Sequence, residues 1–358
     1  IREDSQRPGH GTVRVPGGAT YGALAQALDA QGWALSNFAS LPHISIAGAI
    51  ATGTHGSGNG NQPLVGALNT IEFVTPAGAV RVARRDGSGD LPFEAAVHLG
   101  ALGAITWVEV AVERQYQVRQ DLFTNLAWDQ VEQNFDAITG AAYSVSMFTR
   151  WYADSVDQVW LKSRVTEDLT AAQDDTFFGA PRATIKLHPL PNVDPIHCTE
   201  QLGVPGPSHE RLAHFKMGFT PSKGEELQSE YLIPRRHAVA AIAAIRALGS
   251  QIRPLLFISE IRTMAADGLW LSPSGQEDSV GLHFTWHQQE ADVMRLLPQI
   301  EAALTPFEAR PHWGKLHAFT HDQLTALYPH LDDFVALAKE CDPSGVLVND
   351  HLRRTLGL

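Results

Sequence analysis

Three short stretches of this 358-residue chain bring together side chains that could do chemistry. In residues 256–263 the two-residue period of a strand puts Glu260 and Arg262 on one face, a carboxylate beside a guanidinium. In residues 280–287, Val280, Leu282, Phe284 and Trp286 form an apolar face, while Gly281, His283, Thr285 and His287 form the other. A strand that packs one face on a core and turns His and Thr the other way can line a wet pocket. The third stretch, His312-Trp313-Gly314-Lys315, sets an aromatic and a cation beside a glycine. Together they supply hydroxyl-binding groups and positive charge, which suit a polar small molecule and an oxyanion formed on it. Each has a plainer use: a surface ion pair of little worth for Glu260 and Arg262, a satisfied histidine at His283, a solvated cation at Lys315.

A fourth segment is rich in glycine and small residues. Residues 40–60 read Ser40-Leu41-Pro42-His43-Ile44-Ser45-Ile46-Ala47-Gly48-Ala49-Ile50-Ala51-Thr52-Gly53-Thr54-His55-Gly56-Ser57-Gly58-Asn59-Gly60. Small residues let a backbone approach a ligand, and successive N–H groups make a concavity that attracts anions such as a pyrophosphate. Thr52, Thr54, His55 and Ser57 add side-chain donors; a flexible loop is the alternative. The glycine spacing is not that of a Rossmann fingerprint, no Gly-Lys-Ser/Thr follows, and Ser57 lacks the glycine of a nucleophile elbow.

The elements that must position these groups are legible in outline. Residues 11–15 read as a strand and 20–31 as a helix, with Tyr21, Leu24, Ala25 and Leu28 on one face. Residues 68–74 and 79–83 read as a hairpin about Thr75-Pro76-Ala77-Gly78, with Ile71 and Phe73, then Val80 and Val82, alternating inward. A helix is expected over 91–99 and a strand over 105–112. From about Tyr116 the chain turns to longer aromatic-rich strands (144–148, 158–164) and helices at 128–139 and 234–248, the latter with Gly249 just past its end. Helices at 322–327 and 331–339 close it. A domain boundary is placed near residue 115.

Composition narrows the function further. With 39 acidic against 27 basic side chains the net charge is −12, which disfavours nucleic acid and anionic membrane as partners. The longest small-apolar run, 238–245, is too short to span a bilayer. Two distant cysteines, Cys198 and Cys341, fit a reducing cytosol and argue against a disulfide scaffold or a cysteine-held metal. His283 with His287 and His317 with His321 are four apart, yet no His-Glu-x-x-His occurs, so a metal hydrolase is disfavoured and no metal is expected.

Residues 40–58 resemble the flavin-binding run of the vanillyl-alcohol oxidase superfamily, most of all that of the alditol oxidases, whose pattern stands there almost intact. The resemblance continues through 99–106, 143–148, 198–201, 226–231, 260–263, 283–286 and 311–315, nearly the whole chain. It implies an α+β protein: a PCMH-type FAD-binding domain from 1–115 completed by 316–358, and a substrate-binding cap, 116–315, built on a large antiparallel sheet flanked by helices. It implies FAD held by Ser40, Leu41, Pro42, His43, Ser45, Gly48, Thr52, Gly53, Thr54, His55, Gly56, Gly58, Ile105 and His312. It further implies oxidation of the terminal alcohol of a polyol such as xylitol or sorbitol by hydride transfer to the flavin, with O2 reduced to hydrogen peroxide. Arg262 and Lys315 would stabilise the developing alkoxide, Glu260 and Thr285 would hold hydroxyl groups, Ser40 would orient the reacting end, and His283 would lie beside the substrate. Ala39 matches a position near the flavin that influences oxygen access.

One family feature is absent. The alditol oxidases begin with a small subdomain whose Gly-x-Gly-His-Ser loop bonds the flavin covalently through its histidine, and Pro8-Gly9-His10-Gly11 is not that loop. The expectation is an N-terminally incomplete copy whose attachment histidine lies upstream. The competing readings are an aldonolactone oxidase or dehydrogenase of the same fold and a non-catalytic sugar-binding protein.

Overall fold

The structure, a computed structural model, describes residues 1–166, 174–218 and 226–358. Two antiparallel sheets carry it. The first joins β1 (Arg2–Glu3), β2 (His10–Pro16), β3 (Trp33–Ala34), β4 (Leu68–Val74), β5 (Val80–Arg84) and β6 (Ala104–Arg114), in the order β1-β2-β6-β4-β5 with β3 also on β6. Helix α1 (Tyr21–Asp29) starts where Thr20 accepts the Ala23 N–H, and α2 (Ile46–Ala51) where Ser45 accepts that of Gly48.

The second sheet takes over directly: β7 (Gln117–Ala127), β8 (Ser144–Thr149), β9 (Ser155–Arg164), β12 (Gly206–Pro207), β13 (Leu227–Pro234), β14 (Leu256–Met264), β15 (Ser279–Trp286) and β16 (Arg310–Pro311), in the order β12-β7-β9-β8-β14-β15-β13-β16. The hairpin strands β10 (Thr176–Phe177) and β11 (Ala180–Pro181) pair apart from it. Helices α3 (Trp128–Thr139), α4 (Ala238–Ala247), the short α5 (Gly249–Ile252) and α6 (Glu290–Leu304) flank this sheet, and α7 (His321–Leu327), α8 (Leu331–Cys341) and α9 (Asp350–Leu356) close the chain. No helix among the described residues is long and apolar enough to cross a membrane.

Register explains how the second sheet makes a site. Met147, Val159, Ile261, Tyr231, Leu282 and Phe284 are buried on one face, where their burial stabilises the sheet at roughly 1.5–3 kcal/mol per large side chain. The alternate residues, among them Phe148, Trp160, Lys162, Glu260, Arg262, Gly281, His283, Gln228 and Glu230, fall on the opposite face.

Three local expectations differ from the structure. Residues 91–99 form only a 3-10 turn, Phe93–Ala95; Pro92 caps it, and Leu99 leaves in the left-handed region (φ 53°). Val80 is 57% exposed and Ala83 is the buried residue: β5 ends the sheet order beside β4, and residues 90–91 bond to Val82 on its other side. Residues 234–237 are strand end and 3-10 turn rather than helix; Gly249 does stand just past the end of α4, where it opens α5 and a side chain would press on the Trp151 carbonyl.

Candidate active site

A cleft of about 880 Å³ lies over the polar face of the second sheet, walled by the glycine-rich segment on one side and by residues 312–316 on another. Ser40, Leu41, Thr52, Thr54 and His55 line it from the first wall, His312 and Lys315 from the second, and Glu260, Arg262, His283 and Thr285 from the sheet; Ala39 also borders it. Residues 275 positions apart in sequence thus converge, since Ser40 and Lys315 share one space.

The remaining glycine-rich positions serve the wall itself. The Pro42 carbonyl accepts the Gly22 N–H at 2.6 Å, and Ser45 caps α2 through Gly48. Gly53 (φ 66°) packs on Pro273, while a side chain at Gly56 would strike the Phe38 carbonyl and one at Gly58 that of Tyr143. The glycines were expected to let a ligand approach the backbone. At Gly56 and Gly58 the absent side chains also let the segment press against its own protein, and Thr52, Thr54 and His55 face the cleft. Ile105, on β6 beside Gly17, does not line the cleft, and neither do Pro42, His43, Ser45, Gly48, Gly53, Gly56 or Gly58.

Glu260 and Arg262 are not a surface pair: both are nearly buried, with Arg262 Nη1 3.7 Å from Glu260 Oε2. The centre of the arrangement is Glu230, on the β13 strand, to which no role was given from sequence. Arg262 donates to it from Nε (3.2 Å) and Nη2 (3.0 Å), Lys315 donates from Nζ, and His55 Nε2 lies 3.3 Å away. Burial works against the Glu230 anion, but Arg262 and Lys315 outweigh it and hold its carboxyl well below the ordinary range. Glu260 is likewise held low despite burial, by Arg262 and by His214, whose Nε2 donates to Oε1 at 2.9 Å. Two cations thus face two carboxylates, so the site presents oriented donors with little net charge.

Neutral imidazoles surround this core. Burial lowers His283 to about 3 and His214 to about 4, and holds His312 well below its usual value. His283 Nε2 donates to Gln228 Oε1 at 3.2 Å. Arg262 Nη1 donates to Ser40 Oγ at 3.3 Å, which leaves the serine proton for another acceptor. His55, Glu230 and His312 bring ligand-type atoms within 4.8 Å of one another, but a metal ion there would have to compete with Arg262 and Lys315 for the same carboxylate. Glu230, Gln228 and His214 are the residues that sequence reasoning missed. The period of β13 places Gln228 and Glu230 on one face, a signal as sharp as that of β15. His214 lies outside any strand and offers none.

Comparison with known proteins gives this cleft a lineage. Residues 2–84 match the model of an FAD binding domain, and residues 218–355 that of D-arabinono-1,4-lactone oxidase. An alditol oxidase from a Streptomyces species is 47% identical over 347 residues, spanning 96% of this chain and 81% of that protein. The chain belongs to the alditol oxidase family. More distant members of its FAD-binding superfamily include an L-gulono-1,4-lactone dehydrogenase of Mycobacterium tuberculosis, 28% identical over 97% of this chain and 82% of that one. A cholesterol oxidase structure from Brevibacterium sterolicum superposes with a TM-score of 0.72 at 13% identity, covering 96% of this chain and 81% of its own. The expected α+β, PCMH-type fold is the fold observed.

The residues present suit the FAD of this family. The cleft wall combines apolar Leu41, Ile44, Trp313 and Leu316 with the hydroxyls of Thr52 and Thr54.

Proposed function

We propose that this protein oxidises the terminal primary alcohol of an alditol such as xylitol or sorbitol to the aldose, the two electrons passing by way of FAD to O2, which leaves as hydrogen peroxide. FAD supplies the two-electron acceptor when bound. The observation that carries the reading is the convergence of Ser40, Glu260, Arg262, Thr285 and Lys315 on one cleft in a member of the alditol oxidase family. A polyol presents a hydroxyl on every carbon and needs a matching row of donors and acceptors, which Gln228, Glu260, His283 and Thr285 provide along adjacent strands.

In this reading the reacting hydroxyl sits against Ser40 Oγ, Arg262 and Lys315. Arg262 and Lys315 donate to its oxygen and stabilise the negative charge that develops there, while Glu230 fixes both cations in place. Glu260 accepts from a neighbouring hydroxyl, so an analogue lacking that group leaves a buried carboxylate unmatched and is rejected. The cofactor-facing roles fall to Ser40, Leu41, Thr52, Thr54, His55 and His312, with residues 1–115 and 316–358 forming the flavin-binding body and 116–315 the cap. The two unpaired cysteines, Cys198 and Cys341, support a cytoplasmic location.

The lactone reading keeps two supports, the match of residues 218–355 to a lactone oxidase model and the more distant likeness to an L-gulono-1,4-lactone dehydrogenase. The test is the visible spectrum of the FAD-loaded protein under anaerobic conditions. Xylitol is expected to bleach the oxidised-flavin band; bleaching by a sugar lactone but not by any polyol would transfer the assignment to the lactone enzymes. Peroxide formed on admitting air tests O2 as the acceptor.

A further inference from the structure

Behind the cleft lies a buried lysine that none of these roles uses. Lys162 stands in β9, opposite Ser144 of β8 and Gln120 of β7, with no exposed surface. Its Nζ lies 2.5 Å from the Leu212 carbonyl, 3.3 Å from that of Ala213 and 2.9 Å from His214 Nδ1. Burial lowers Lys162 to about 7, so below that pH it is an ammonium, with three N–H donors and no lone pair, and all three partners must accept. His214 Nδ1 therefore carries the lone pair, and the ring proton stands on Nε2, where it is donated to Glu260 Oε1 at 2.9 Å. Glu260, an anion, demands that same tautomer from the other side.

The segment that Lys162 grips also reaches Ser40. The His214 backbone N–H donates to the Ser40 carbonyl at 3.1 Å. Phe148 and Trp160 set their rings against the imidazole, with centroids 5.5 and 5.4 Å away, and confine its plane. With Oε1 committed to His214, Glu260 turns Oε2 toward Arg262.

We propose that Lys162 is a positioning residue for polyol oxidation: by donating to the Leu212 and Ala213 carbonyls and to His214 Nδ1 it fixes the histidine tautomer, and so aims Glu260 and Ser40 into the cleft. The inference rests on the reading of Glu260 and Ser40 as substrate-binding groups. It explains why a buried cation, costly by itself, is kept where an apolar side chain would pack. It also assigns His214 a role through its tautomer rather than its charge.

The test joins spectroscopy to kinetics. Nitrogen-15 histidine spectra of the wild-type protein at pH 6, with the His214 signals identified by their loss in His214→Asn, are expected to show a neutral ring protonated on Nε2. Lys162→Met should give mixed tautomers and lower kcat/KM for xylitol by about tenfold to a hundredfold, the range for a lost hydrogen bond to a charged group, with the flavin band intact. Lys162→Gln, which keeps two donors, should fall between. A wild-type His214 protonated on Nδ1 overturns the proposal even if neither variant folds. So does a Lys162→Met protein whose kcat/KM stays within about threefold of wild type, less than one such bond is worth. A wild-type, FAD-loaded protein that oxidises no polyol would sink the functional reading instead, while the tautomer measurement would still decide what Lys162 does.

Discussion

Glu230 is where the charge balance of the site can be broken with one atom. Glu230→Gln keeps the side chain's shape but removes the anion that Arg262 and Lys315 share. At about 3 Å and an effective dielectric near 20, each attraction is on the order of 5 kcal/mol. Desolvation of the ions offsets much of that, and removing one partner of a buried pair costs about 3–5 kcal/mol because the other charge is left uncompensated. Here two cations are left and the new amide N–H2 adds a donor against them, so the upper half of that range is expected. For 358 residues unfolding together, at about 2.1 cal/mol/K of unfolding entropy per residue, this lowers the melting temperature by roughly 5–7 °C. Thermal and urea unfolding of both proteins at pH 7.5 and one fixed FAD concentration would read it, since bound ligand itself raises the transition. The double variant Glu230→Gln, Lys315→Met should recover part of the loss by removing one stranded cation. A single variant within about 1 kcal/mol of wild type, or a double variant less stable than the sum of the two singles, would refute the charge argument.

Other outcomes follow from the same geometry. Arg262→Lys removes the fork that reaches both Glu230 and Ser40; kcat for xylitol should fall about a hundredfold or more while flavin binding is retained, read by steady-state kinetics on FAD-loaded protein. Thr285→Val should raise KM for polyols by roughly tenfold with little change in kcat, provided the threonine binds a hydroxyl remote from the reacting carbon. Gly56→Ala places a methyl group against the Phe38 carbonyl and should cost about 1–3 kcal/mol in urea unfolding and weaken FAD retention, as the wall must shift. Stability should fall by on the order of 10 kcal/mol between pH 7 and pH 4, enough to unfold the protein before pH 4 is reached. His98 and His214, held near 4 by burial, and His283 and His317, held near 3, take up protons in the unfolded state before the native one, at roughly 1.4 kcal/mol per pH unit for each such group. Glu230 and Glu260, held below their unfolded values, add stability that is present above about pH 4.5 and lost beneath it. A urea midpoint flat from pH 7 to 4 would contradict both.

What the sequence determined by itself is what depends on neighbours along the chain. A period of two sorted β14 and β15 into an apolar and a polar face, and the structure keeps both: Val280, Leu282, Phe284 and Trp286 are fully buried, while His283 and Thr285 line the cleft. The span of α3 was legible from its amphipathic pattern, and the Thr20 cap of α1 is a local hydrogen bond, whereas the short α2 behind Ser45 was not read from the sequence. The glycine-rich run announced a special backbone, but not what its glycines press against. Only the tertiary structure decided that, along with which polar faces meet. The pairing order β9-β8-β14-β15-β13 sets Lys162, Glu260 and Glu230 on one surface, and a loop lying outside these strands drops His214 between them. Such partners are tens to scores of residues apart, and their ionisation is set by burial and by each other's charge. Glu230 looks like any strand carboxylate until Arg262, 32 residues on, and Lys315, 85 residues on, close around it, and that closure is a property of the packed sheet rather than of any segment.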